Sequence, residues 1–343
     1  MGTGYEIENR KRVTVLVGLT LCMILSALWF MTIRMDVSVF SIPDILYRAM
    51  DNQLLTAQEK IVLYMRMPSV LMAIAAGMAL SISGGVMQSV THNDLVSPFT
   101  LGISAAAAFG ASLCIVSGNP VLHSTAGMIG GAFLSACLCI LCVYGLSLRT
   151  GTTASVLVLT GIAMNYFFSA LSATVQFFAQ EYKLGEIIQW TFGTFNKANW
   201  SFVGCSFLLL LIGVLLFFYL ALPLDAMAVN DDEMVKSLGI RPQRIRFITG
   251  LVSVFLTATI ISFTGVIGFV GLIAPHMARM AVGNRHRIFL PMAGVIGACL
   301  LLYSDMIGRY ILYPVSIPVG IVISFLGVPL FIHLVMKMRG RDL

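Results

Sequence analysis

The chain has 343 residues, of which 58% are hydrophobic and only 10% charged, with a mean hydropathy of +0.94. A membrane-spanning helix takes about 20 apolar residues, so about 199 hydrophobic residues leave room for about ten spans and exclude a soluble enzyme, a single-span receptor and a disordered chain. An outer-membrane barrel is excluded because its strands alternate polar and apolar residues, and a net charge of +6 in such a chain points to membrane topology, not to nucleic acid.

In chain order, Arg10, Lys11 and Arg12 precede an apolar run over 13–33. That run is longer than a secretory h-region and ends in Arg34-Met35-Asp36 without a small-residue cleavage site. It is expected to persist as the first span, with the N-terminus cytoplasmic. Further runs predict spans at 68–90, 95–117, 123–147, 153–178, 201–222 and 248–270, a short one near 271–282, then 288–309 and 317–337. The expected fold is all-α: a single polytopic domain over 1–343 with about ten transmembrane helices, N-in and C-in. Thirteen of the 21 Lys and Arg residues fall in the assigned cytoplasmic segments and seven in the outer ones, which agrees with that orientation.

Two outer segments, 34–67 and 179–200, are too long for simple turns. Trp29, Trp190 and Trp200 fall near outer interfaces, where amphipathic rings are favoured. The longest cytoplasmic loop, about 223–247, carries Asp225, Asp231, Asp232, Glu233, Lys236, Arg241, Arg244 and Arg246. It reads as one or two short amphipathic helices joined near Gly239. Gly127 and Gly131 form a small-xxx-small pair suited to close helix contact, and Gly84, Gly85, Gly265, Gly268 and Gly271 suit the same use.

The chemistry-bearing residues are sparse. No Gly is followed by Lys, so a Walker A loop is absent and any ATP must be bound by another chain. Cys137, Cys139 and Cys142 sit at about 0°, 200° and 140° around a helix and do not converge on a metal. Neither a metal site nor a cofactor is expected, and the 20 Met residues read as packing. His276, Arg279 and Asp305 are polar residues near membrane depth, where ionisable groups normally pair. Arg279 with Asp305 is the expected ion pair, and Asp94 is expected to cap a helix at the inner face. Thr152, Thr153 and Ser155 form a hydroxyl cluster at the inner end of span five, suited to capping. Arg66 and Arg309 lie at the outer ends of spans two and nine, where snorkelling is the ordinary use of Arg.

Several blocks, weak singly, have a specific order and spacing. They are Arg66-Met67-Pro68, Ser83 to Gln88, Asn93 to Pro98, Leu101 to Ser104, Thr160 to Ala163, Gln189-Trp190 with Gly193, and Ser237 to Ile240. The strongest runs from Phe269 through Ala274-Pro275-His276 to Arg279. His286-Arg287, Leu290-Pro291, Asp305, Arg309, Ile317 to Gly320 and Gly327 to Pro329 follow it. From about residue 60 to 336 the chain resembles the FecCD-type permeases, membrane subunits of bacterial ABC importers for ferric siderophores, haem and cobalamin.

The resemblance implies a non-enzymatic permease of the bacterial inner or plasma membrane. Its partners would be a second permease copy in a homodimer or heterodimer, two copies of an ABC ATPase and an extracytoplasmic substrate-binding protein. The cargo it implies is a ferric siderophore, with haem or cobalamin as alternatives. It gives Arg66 and Arg309 the role of docking the binding protein. Asp231, Asp232, Glu233, Ser237, Leu238, Gly239 and Ile240 would couple to the ATPase, and Thr152, Thr153 and Ser155 would form the cytoplasmic gate. Two positions depart from the family pattern: Ser69, commonly a second Arg, with Lys60 as a candidate replacement, and Ser316, usually Glu. An ion-driven secondary transporter is the rival reading, and it requires acids paired along a pathway, for which only Asp305 and Asp94 qualify.

Overall fold

A computed structural model describes residues 2–150 and 153–339. Ten apolar helices match the expected spans: α1 (Gly2–Thr32), α2 (Met67–Thr91), α3 (Ile103–Val116), α4 (Thr125–Thr150), α5 (Ala154–Phe178), α6 (Trp200–Tyr219), α7 (Pro242–Thr264), α8 (Val270–Val282), α9 (His286–Tyr310) and α10 (Val319–Arg339). Seven of them are long and apolar enough to cross a membrane, whereas α3, α8 and α10 provide shorter apolar stretches. No strand occurs among the described residues.

Local sequence sets most helix ends. Asn199 caps α6 by accepting from the Phe202 amide at 2.9 Å. α2 stops at His92, whose left-handed backbone ends the helix and returns its N–H to the Gln88 carbonyl. The expected α7 begins at 248, but the helix starts at Pro242, because Pro is pre-organised for a first turn. Its first turn therefore takes over the end of the predicted loop.

α2 is the centre of the molecule. It is buried along nearly its whole length and packs against α9, α7, α8 and α6. Small residues allow this. A Cβ at Gly77 would overlap the backbone of Gly297 on α9, and one at Gly84 would overlap Gly271 on α8. The expected Gly127–Gly131 contact is only half realised. Gly131 packs on Gly110 of α3, but Gly127 sits against the carbonyls of Val121 and Leu122 in the preceding turn. Gly127 lies one turn earlier on the same stripe, but in the first turn of α4, where the chain entering the helix folds back against it.

Both long segments expected on the outer side are structured. In 34–67, helix Ile42–Met50 turns Ile42 and Ile45 inward. The next turn starts with a reciprocal Thr56–Glu59 capping box and runs through a wide π turn, Val62–Arg66, into α2. In 179–200, helix Glu181–Thr191 lies between α5 and α6.

Candidate functional site

The charged segment between α6 and α7 forms two short helices, Ala221–Val229 and Asp232–Ser237. Their junction is at Asn230-Asp231. Gly239, expected between them, instead follows the second helix in a left-handed turn leading to α7. Asp231 caps the second helix by accepting from the Met234 amide at 2.9 Å, so the break in helical hydrogen bonding falls at that cap.

This segment has an anchored side and a free side. On the anchored side, Val235 is fully buried and Arg246 grips Asp232 through two hydrogen bonds of 2.9 and 3.2 Å. Hydrogen bonding from that guanidinium holds the Asp232 carboxyl below the usual carboxylate value. On the free side, Met234 and Leu238 are more than half exposed beside the exposed Glu233, Lys236, Ser237 and Gly239. Asp231 is exposed too, and Ile240 is partly covered. An apolar pair rimmed by charges on a polar surface is the pattern of a protein contact.

A second anchor lies under the first helix. His286 is fully buried, and its Nδ1–H and backbone N–H both donate to Asp225 Oδ1 at 2.7 Å. Burial raises the Asp225 pKa, but these two hydrogen bonds outweigh it and the carboxyl lies below its usual value. Sequence reasoning noted Asp225, Arg246 and His286 singly without pairing them. The legible signal was the histidine at the first position of an apolar helix, a costly place to bury a polar ring.

At the start of α5, Thr153 caps the helix, accepting from the Val156 amide at 3.4 Å. Thr153 and Ser155 are both exposed, and Thr152 lies outside the described residues. The neighbouring polar cluster differs from expectation. Arg279 pairs with Asp94, not with Asp305, and its guanidinium also lies over the Phe289 ring. Asp94 is thus an ion-pair partner and not a helix cap. Asp305 pairs instead with Arg309 on its own helix, Nε to Oδ2 at 2.6 Å. Four residues make one helical turn, whereas Arg279 and Asp305 lie toward opposite ends of α8 and α9.

The structure brings Arg66 and Arg309 together where the start of α2 meets the end of α9. They line one small cavity with Ser69, Asp305 and Tyr310. Arg66 donates to the Tyr310 hydroxyl at 3.2 Å. Arg34, which carried no expectation, adds a third cation over the Tyr310 and Tyr313 rings. Ser69 is buried and donates to the Phe195 carbonyl at 2.9 Å, so it offers no outward group. Lys60 is exposed. Ser316 is also exposed, within 3.3 Å of the Asn196 amide.

One apolar groove of about 650 Å³ opens between the ends of several helices. Phe99, Phe192, Phe269 and Phe325 converge on it. Among the described residues, no three His, Cys, Asp or Glu side chains converge as a metal site.

Comparison with known proteins gives this arrangement a lineage. The FecCD transport family model matches residues 18–337. The chain is 34% identical to the hemin transport system permease protein of Yersinia pestis, the match covering 81% of this chain and 84% of that protein. It is 34% identical to an iron(3+)-hydroxamate import permease of Bacillus subtilis (82% and 85% covered). It is 31% identical to a molybdate import permease of Haemophilus influenzae (95% and 96%). A solved inward-facing conformation of a metal-chelate type ABC transporter superposes with a TM-score of 0.83 at 30% identity, covering 94% of this chain and 99% of that one. The chain belongs to the FecCD transport family of membrane permease subunits.

Proposed function

We propose that this chain is the membrane permease of a binding-protein-dependent ABC importer for a bulky ferric siderophore. Its 1–343 span acts as one permease domain with both termini cytoplasmic. Two copies, identical or paired with a related chain, enclose the pathway. ATP is hydrolysed by two copies of a separate subunit, and an extracytoplasmic binding protein delivers the cargo.

The observation that carries this reading is the two-sided cytoplasmic segment. Met234 and Leu238 face outward on a helix whose other side is fixed to the core by Asp232 and Arg246. Such a segment transmits a push as a rigid body. Residues 231–240 seat on the ATPase, Thr152, Thr153 and Ser155 narrow the inner end of the pathway, and Arg66 and Arg309 meet carboxylates of the binding protein. The four phenylalanines of the groove favour a large, partly apolar chelate over a small hydrated oxyanion. This supports a siderophore or haem over the molybdate cargo of one relative.

The test is co-purification of the permease with its co-expressed ATPase, followed by uptake of a radiolabelled ferric hydroxamate, hemin and molybdate into proteoliposomes. ATP-dependent uptake of the hydroxamate is expected. Substituting Leu238→Asp places a charge in an apolar contact, and a loss of ATPase recovery of roughly tenfold or more is expected. Full uptake in the absence of any ATPase would overturn the reading in favour of an ion-driven transporter.

A further inference from the structure

Both cytoplasmic helices are tied to the same turn of the same transmembrane helix. Under the first helix, Asp225 holds His286, and His286 Nε2 shares a hydrogen bond with the Ser89 hydroxyl of α2 at 3.0 Å. Under the second, Asp232 holds Arg246, whose Nε donates to the Val90 carbonyl of α2 at 2.8 Å. Between them, His92 Nε2 meets the Asn230 carbonyl, at the junction of the two helices, at 2.9 Å. Ser89, Val90 and His92 are consecutive points on the C-terminal turn of α2.

The chemistry of this joint is well matched. The last carbonyls of a helix have no partner within it, and a cation there also meets the negative end of the helix dipole. The Arg246 guanidinium supplies both terms at Val90. At the start of α9 no residue of its own caps the helix, and the Asp225 carboxylate accepts the His286 amide in place of a cap. Both linking side chains are almost wholly buried, so water does not compete for these bonds. Above the joint, α2 has little slack. Its close contacts at Gly77 and Gly84 lock it against α9 and α8, and at its outer end Ser69 and the adjoining Arg66 are bonded to the mouth.

We propose that α2 is the rod that carries ATPase movement to the outer mouth, and that Asp225–His286–Ser89 together with Asp232–Arg246–Val90 form the joint that drives it. His286 and Arg246 are positioning residues; neither is placed at the ATPase contact. The inference rests on the reading that the 231–240 surface seats on an ATPase, and adds where the force goes next.

The test uses the assembled permease–ATPase complex in lipid nanodiscs. ATP hydrolysis is measured beside hydrogen–deuterium exchange of residues 57–66 at the outer mouth, with and without ATP and vanadate. In the parent complex, nucleotide alters exchange at the outer mouth. With His286→Gln or Ser89→Ala, hydrolysis is expected to persist while the nucleotide-dependent difference shrinks by about tenfold, a size typical of coupling between distant sites. A purely structural role would lower hydrolysis and complex recovery together and leave the outer response per ATP unchanged, and that result overturns the joint. Ser89→Ala removes one hydroxyl without a charge, so it serves if the histidine variant fails to assemble, and an intact outer response in it also overturns the joint. The underlying coupling reading is tested separately: if Leu238→Asp leaves ATPase recovery undiminished, that reading fails whatever the joint variants do.

Discussion

At the scale of single residues, Arg66 and Arg309 differ in what they have to give. Arg309 is already committed to Asp305, and both side chains are mostly buried (17% and 12% exposed). Removing one partner of such a pair leaves an uncompensated charge, which costs about 3 kcal/mol or more. Arg309→Glu should therefore lower thermal stability in detergent as well as binding-protein docking. Arg66 has a phenol for a partner, not a carboxylate. Arg66→Glu should weaken docking by roughly tenfold, the scale of a lost charge-assisted contact, with little change in melting temperature; unchanged affinity would remove Arg66 from the docking set. The Asp232–Arg246 pair adds a pH dependence. Asp232 has a lowered folded-state pKa because Arg246 hydrogen-bonds its charged form. Its stabilisation is therefore complete above the ordinary carboxyl value of 3.8 and is lost as pH falls below that value through the lowered one. Exchange protection of residues 232–237 should accordingly hold at neutral pH and fall only in strong acid, and protection lost already near pH 6 would contradict the assignment.

At the scale of elements, the glycines separate into those that let helices meet and those that do not. Gly84 and Gly77 are crossing points where a Cβ has no room, whereas Gly204 and Gly145 have nothing within 4 Å. Gly84→Val should destabilise the fold by about 1–3 kcal/mol or more, as overpacking does. Gly204→Ala should be neutral or slightly stabilising, since alanine favours the helix. Thermal unfolding of both variants checks the contrast. The sequence showed that these glycines existed, and the small-residue pattern pointed correctly to Gly84 and Gly271. It misplaced Gly127, because spacing along one helix does not say how the chain folds back as it enters that helix. The break at Asn230-Asp231 was missed for a related reason. Gly239 is the stronger turn signal, but Asp231 starts a new helix as its N-cap well before Gly239, directly after the first helix ends at Val229.

At the scale of the whole molecule, burial is uneven. In the stretch leading through α2, 83% of the apolar window is buried inside the chain, against 17% for α5. Leu159, Tyr166 and Phe177 of α5 stand exposed. Surfaces this apolar are covered by lipid or by a second permease copy. Mass measurement of the purified complex is expected to give two permease chains per assembly, and a single chain would refute the paired arrangement. The chain by itself determined the all-α class, the approximate place of ten apolar helices and the position of the charged segment between α6 and α7. Each of these depends on the length of an apolar run, a local property set by bilayer thickness. It also carried enough ordered motifs to reveal the family. Only the tertiary structure decided which charges meet. Arg279 belongs to Asp94, Arg309 to Asp305, Arg246 to Asp232 and Asp225 to His286. Three of those pairs join residues from different helices or loops, and their partners are chosen by which helices pack side by side around α2, which no local pattern encodes.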